Sequence, residues 1–162
     1  MIEFQVAFDP PKATHQGSGT ILRRKDGTTF IGRPSSSPGA KAKKVWLRTF
    51  KPHKPREPLE GPLEARIEIT FPWRTSDTKK VRSRGHAAMP TKPDIDNLMK
   101  LVLDAMSQSQ FWNDDNQVTD LICRKRLGDN PGITVRIRQI EIEPINPLFE
   151  AIETTQPITL QP

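Results

Sequence analysis

Leu63-Glu64-Ala65-Arg66-Ile67-Glu68-Ile69-Thr70-Phe71-Pro72 alternates apolar and polar side chains until the proline stops it. Successive residues of a strand point to opposite faces, so this period of two predicts a strand that buries Leu63, Ala65, Ile67, Ile69 and Phe71 on one side. Downstream the period changes. Leu98, Leu101, Val102, Ala105 and Met106 recur at the three-and-four spacing of a single helix face, and Asp96 stands where an N-cap is expected. A one-sided strand and a one-sided helix bury each other, which predicts an α/β domain: a mixed β-sheet with helices packed on it.

The same reading extends to both ends. Ile2, Phe4, Val6 and Phe8 alternate with polar or small residues up to Pro10-Pro11, predicting an opening strand. Ile21-Leu22 and Phe30-Ile31 flank Asp26-Gly27, a pair suited to the positive φ angles of a tight hairpin turn. Ala42, Val45, Trp46, Thr49 and Phe50 predict a basic helix at about 40–50. Pro52, Pro55, Pro58 and Pro62 forbid regular structure after it, since each lacks an amide donor and restrains its neighbour. Residues 74–92 show no apolar periodicity and are expected to be a mobile basic loop. Val118 to Arg126 reads as a strand, as does Ile133 to Ile142, where a bulge near Gln139 would absorb a change of phase. The expected organisation is one domain over 1–143 and a proline-containing tail over 144–162.

Lys and Arg number 25 against 19 Asp and Glu, a balance of +6 that favours a polyanionic partner. Seven of the basic residues fall in 41–56 and six in 74–92, so both stretches are expected to meet phosphates rather than base edges. No run is long and apolar enough to span a bilayer, and Met1-Ile2-Glu3 does not open a signal peptide, so no membrane association and a cytoplasmic location are expected. One cysteine, Cys123, allows no internal disulfide and reads as a small buried hydrophobe.

The chemistry concentrates in Lys92-Pro93-Asp94-Ile95-Asp96-Asn97-Leu98-Met99-Lys100. Pro93 holds the chain extended before the helix begins, and in extended geometry residues two apart point the same way. Asp94 and Asp96 can therefore converge on one hard cation, which prefers oxygen ligands and suits phosphodiester cleavage. The plain alternative is a helix cap at Asp96 and a solvated Asp94. Lys100 lies one turn after Asp96 and can reach the same mouth, or form an ordinary surface ion pair. The Asp114-Asp115 pair after the helix offers a third carboxylate.

Pro93-Asp94-Ile95-Asp96-Asn97-Leu98 with Lys100, Asp104-Ala105 and Phe111-Trp112-Asn113-Asp114-Asp115-Asn116-Gln117-Val118 resembles the signature of the RusA-type Holliday-junction resolvases. The close resemblance covers about 90–126, and the order of elements extends it to about 2–142. It implies that Asp94, Asp96 and Asp115 bind Mg²⁺, with Mn²⁺ as a substitute, that Lys100 assists cleavage, and that the partner is branched DNA with a four-way junction. It also implies a homodimer, which paired cuts in opposed strands favour independently. Lys79, Lys80, Arg82, Arg84 and Lys92 are the expected DNA contacts. Two other readings stay open: a module that binds branched DNA without cutting, and a flap or fork nuclease of the same chemistry.

Other candidates carry less. His15, His53 and His86 lack zinc-site spacing and read as surface residues. Met99, Met106, Phe111 and Trp112 read as core, with an exposed Trp112 able to stack on an unpaired base as the alternative.

Overall fold

Alternation along Leu63–Pro72 becomes the middle strand of a mixed sheet in the computed structural model, which describes residues 1–14, 20–32 and 36–141. In chain order the elements are β1 (Ile2–Ala7), β2 (Thr20–Arg23), β3 (Thr29–Gly32), α1 (Pro38–Phe50), β4 (Leu63–Pro72), α2 (Lys79–Arg82), β5 (His86–Ala88), α3 (Ile95–Gln108), β6 (Val118–Gly128) and β7 (Gly132–Gln139). The main sheet runs β1-β7-β4-β6-β5, and β2 and β3 form a separate two-stranded sheet. β4 and β6 are parallel, while the other pairs are antiparallel. Parallel neighbours need a long crossover, and α3 lies within it.

Leu63, Ala65, Ile67, Ile69 and Phe71 are all buried, and Leu98, Leu101, Val102, Ala105 and Met106 of α3 are buried with them. Trp46 and Phe50 of α1 complete the core with Phe111 and Trp112, so those last two are interior residues. Phe50 meets Phe111 edge-on at 6.0 Å and stacks with Trp46 at 5.6 Å, spacings at which aromatic pairs attract. The other face of β4 bears Glu64, whose carboxylate takes hydrogen bonds from Arg66 (2.6 Å) and Arg138 (2.7 Å).

Five local expectations change. Residues 74–92 hold a turn fixed by the Arg74–Asp77 ion pair (2.8 Å), then α2 capped by Thr78, then the edge strand β5. Elements of three or four residues are too short to show a period, and their caps do the ordering. The helix starts at Ile95 with Asp94 at the N-cap, so Asp96 is in its first turn. β7 stops at Gln139 without a bulge, and the Ile140 amide turns to the Pro62 carbonyl (2.9 Å). His53 is half-buried and stacks on Phe4 at 4.5 Å rather than lying free on the surface. Cys123 is only half-buried, packed on the core at the β6 edge. The expected tail and His15 lie outside the described residues. No helix among them is long and apolar enough to cross a membrane.

Candidate active site

Pro93 is buried, and the chain leaves it extended at Asp94 (φ −67°, ψ 142°) before α3 begins. An aspartate at an N-cap ordinarily accepts a hydrogen bond from a first-turn amide. Asp94 does not: its side chain makes no cap hydrogen bond and is exposed. Asp96 is exposed as well, and its oxygens accept from the Asn97 side-chain Nδ2 at 3.2 and 3.3 Å. Both line a cleft of about 1090 Å³ whose walls carry Lys92, Arg124, Lys125 and Arg126. Paired carboxylates beside four cations at a helix N-terminus suit a ligand that brings phosphate together with a metal ion.

Lys125 was not singled out by the sequence. Its Nζ donates to the carbonyls of Thr91 (2.7 Å) and Pro93, pinning the strand-to-helix passage that presents Asp94 onto β6. The run Arg124-Lys125-Arg126 on a strand was the available signal. Alternation put Lys125 on the same face as Cys123 and Leu127, an odd place for a lysine unless it reaches a carbonyl or anion.

Lys100 is exposed on α3, one turn beyond Asp96. Asp96, Lys100 and Asp104 follow one another along a single flank of α3. Asp115, in the turn after the helix, lies within reach of the Asp104 charge on that flank. Partial burial, a hydrogen bond with Asp114 and the charges of Asp114 and Asp104, in that order, push its carboxyl above the usual carboxylate range. Eight residues of helix separate Asp96 from Asp104, about 12 Å along the axis. Asp94 and Asp96 share the cleft, and Asp115 neighbours Asp114 and feels the charge of Asp104. Among the described residues no three His, Cys, Asp or Glu side chains gather closely enough to hold one ion.

Asp114 has a separate task. Its side chain accepts from the Asn116 backbone amide (3.0 Å), while the Gln117 side-chain Oε1 accepts from the backbone amides of Asn113 (2.9 Å) and Asp114 (3.1 Å). Gln117 Nε2 also donates to Leu59 O (3.0 Å), so this capping box moors the turn that carries Asp115. Of the expected DNA contacts, Lys79, Lys80 and Arg84 are exposed and Lys92 lines the cleft. Arg82 instead spends its guanidinium on the carbonyls of Arg74 (2.6 Å) and Asp77 (3.1 Å), holding the turn.

The mixed α/β domain and its carboxylate-bearing basic cleft suit a protein that acts on a phosphodiester polyanion. The family described as endodeoxyribonuclease RusA matches residues 11–138, and the chain belongs to that family. Over 138 residues it is 26% identical to the crossover junction endodeoxyribonuclease rusA of Lactococcus phage r1t, which spans 85% of this chain and 98% of the phage protein. Over 93 residues it is 31% identical to an uncharacterized protein, YqaN, of Bacillus subtilis (strain 168), covering 54% of this chain and 65% of that protein's length.

Proposed function

We propose that this chain is a divalent-metal-dependent endonuclease that resolves four-way DNA junctions in recombination and repair, as a homodimer, with Mg²⁺ as the working ion and Mn²⁺ as a substitute. The observation that carries this reading is the Asp94 carboxylate, at an N-cap yet not spent on capping, beside Asp96 in a cleft walled by basic residues. The name of the phage relative supports the junction as substrate. When bound, the cation would supply an activated water and neutralise charge on the phosphodiester. Mg²⁺ usually takes one or two protein carboxylates, keeps several waters and shares substrate phosphate oxygens. Asp94 and Asp96 meet that requirement without an all-protein cage, and Asp115 is the third candidate ligand. Lys100 offers its ammonium to charge building on phosphate oxygens. Lys92, Lys79, Lys80 and Arg84 hold backbone phosphates and set the register of the duplex arms. Two copies related by a two-fold axis give the two opposed cuts that resolution requires.

Junction, fork, flap and linear duplex, each incubated with EDTA, Mg²⁺ or Mn²⁺, test the reading. Paired, symmetric nicks in the junction that need the metal are expected. Preferential cutting of flap or fork would replace the substrate, and binding with no cutting in either metal would leave a DNA-binding module.

A further inference from the structure

The hairpin Thr20–Gly32 stands apart from the rest of the fold. Among the described residues its strands pair only with each other, and none of its apolar side chains, Ile21, Leu22, Phe30 or Ile31, belongs to the core or packs on it. Ile21 and Ile31 face each other across the ladder with 72% and 79% of their surface exposed. An isolated two-stranded hairpin is marginal in water, and a bare isoleucine pair makes it more so unless something covers it. The hairpin is nonetheless built with care. Gly27 takes φ 87° in the turn, and Asp26 accepts from the Thr28 amide (2.9 Å) and hydroxyl (2.7 Å). A Cβ on Gly32 would strike the Phe30 ring at 2.7 Å, so glycine there lets Phe30 lie across the strand, where Arg24 stacks on it at 5.0 Å.

The tip decides what could cover it. Arg23, Arg24 and Lys25 are consecutive, and Asp26, the one acid beside them, is occupied by Thr28. Arg23 lies on the same face as Ile21 and Ile31, two residues nearer the tip. A second copy of a chain with a balance of +6 would bring like charge to this tip, whereas nucleic acid brings the opposite sign. A two-stranded ribbon also has the dimensions of a groove reader, and isoleucine is among the side chains that wedge between base steps.

We propose that the Thr20–Gly32 hairpin is a DNA-contacting arm, its Ile21–Ile31 pair set against bases bared at the branch point while Arg23, Arg24 and Lys25 hold the flanking phosphates. This rests on the junction reading above and names the element that senses the branch.

The test uses the full chain in EDTA with a four-way junction carrying 2-aminopurine at the branch point, and a linear duplex for comparison. The wild type is expected to prefer the junction and to brighten the probe. Ile21→Ser with Ile31→Ser should weaken junction binding about tenfold, abolish the brightening and leave duplex binding and its salt slope alone. Arg23→Ala with Arg24→Ala and Lys25→Ala should weaken binding to both DNAs and flatten the salt slope by about two to three. Neither set touches the core, so melting temperatures should match the wild type. Variants that bind and brighten like the wild type, while the wild type cuts junctions, overturn the arm alone. Variants that lose mass in sedimentation but keep their DNA contacts make the hairpin a protomer contact and also overturn it. A wild type without junction preference in EDTA and without cutting in Mg²⁺ or Mn²⁺ removes the junction reading, and the arm with it.

Discussion

Asp115→Asn should make the metal-free protein more stable while it destroys cleavage. Asp115 shares a partly desolvated corner with Asp114 and Asp104, and its carboxyl is raised above the usual range. A carboxyl raised in the folded state contributes stability that is complete below its ordinary value of 3.8 and is lost as pH rises through the raised value. At pH 7.5 the wild type therefore carries the whole repulsion, and asparagine removes it while keeping a donor for Asp114. The residue is mostly exposed, so screening keeps the gain to about 0.5–1 kcal/mol, on the scale of exposed charge pairs. For a chain of this length that is a rise of about 1–4 °C in Tm. Melts in EDTA at pH 7.5 and pH 3.5 read it directly, and the difference should vanish at the lower pH. Mg²⁺ at about ten times its Kd should then stabilise the wild type by about 1.4 kcal/mol and the variant by less. A variant no more stable than wild type in EDTA at pH 7.5 refutes the crowding argument, and equal Mg²⁺ shifts refute the ligand role.

Lys125→Met should lower metal affinity and cleavage together by about 10–100-fold with little loss of Tm, because the Asp94 passage loses its anchor to β6; metal titration of the cleavage rate separates this from general unfolding. Lys79→Glu with Lys80→Glu, which spares the turn held by Arg82, should flatten the salt dependence of DNA binding by about two, and an unchanged slope counts against phosphate contact. Gly132→Ala should cost about 2–3 kcal/mol in denaturant melts, since its Cβ would lie 2.2 Å from the Val6 carbonyl oxygen across the β1–β7 pair. Glu64 is held down to about 2 by its hydrogen bonds to Arg138 and Arg66, so its contribution is present above about 4.5 and lost as pH falls through about 2; the Tm gap between wild type and Glu64→Gln should close over that window.

The strands and α3 were legible because burial is one-sided: β4 and α3 each expose one face, and that asymmetry writes a period into the sequence. Strand order was not legible. Nothing in the alternation of β6 distinguishes a parallel neighbour of β4 from an antiparallel one, since the pleat alternates identically in both, and the arrangement follows only from the crossover through α3. The order in 74–92 was hidden for another reason. Arg74, Asp77, Thr78 and Arg82 fix that segment through a local ion pair and side-chain to backbone bonds, which leave no periodic trace.

At the site, the sequence distinguished residue types better than distances. Asp94 and Asp96 meet in one cleft because only one residue separates them at a chain passage stiffened by Pro93. The placement of Asp115 depends on the length of α3, because the turn that carries it can start only where the helix ends. Gln110, with φ 63°, and the buried Phe111–Trp112 anchor set the path of the returning chain, which carries Asp115 within reach of the Asp104 charge. Along the flank between them Asp96, Lys100 and Asp104 recur every fourth residue, so α3 presents alternating carboxylate and ammonium beside a basic strand. A phosphodiester backbone laid along that flank would meet each of these groups in turn. The same four-residue spacing that buries Leu98, Val102 and Met106 therefore also fixes where the polar groups stand, and one helix supplies both the core and the candidate catalytic row.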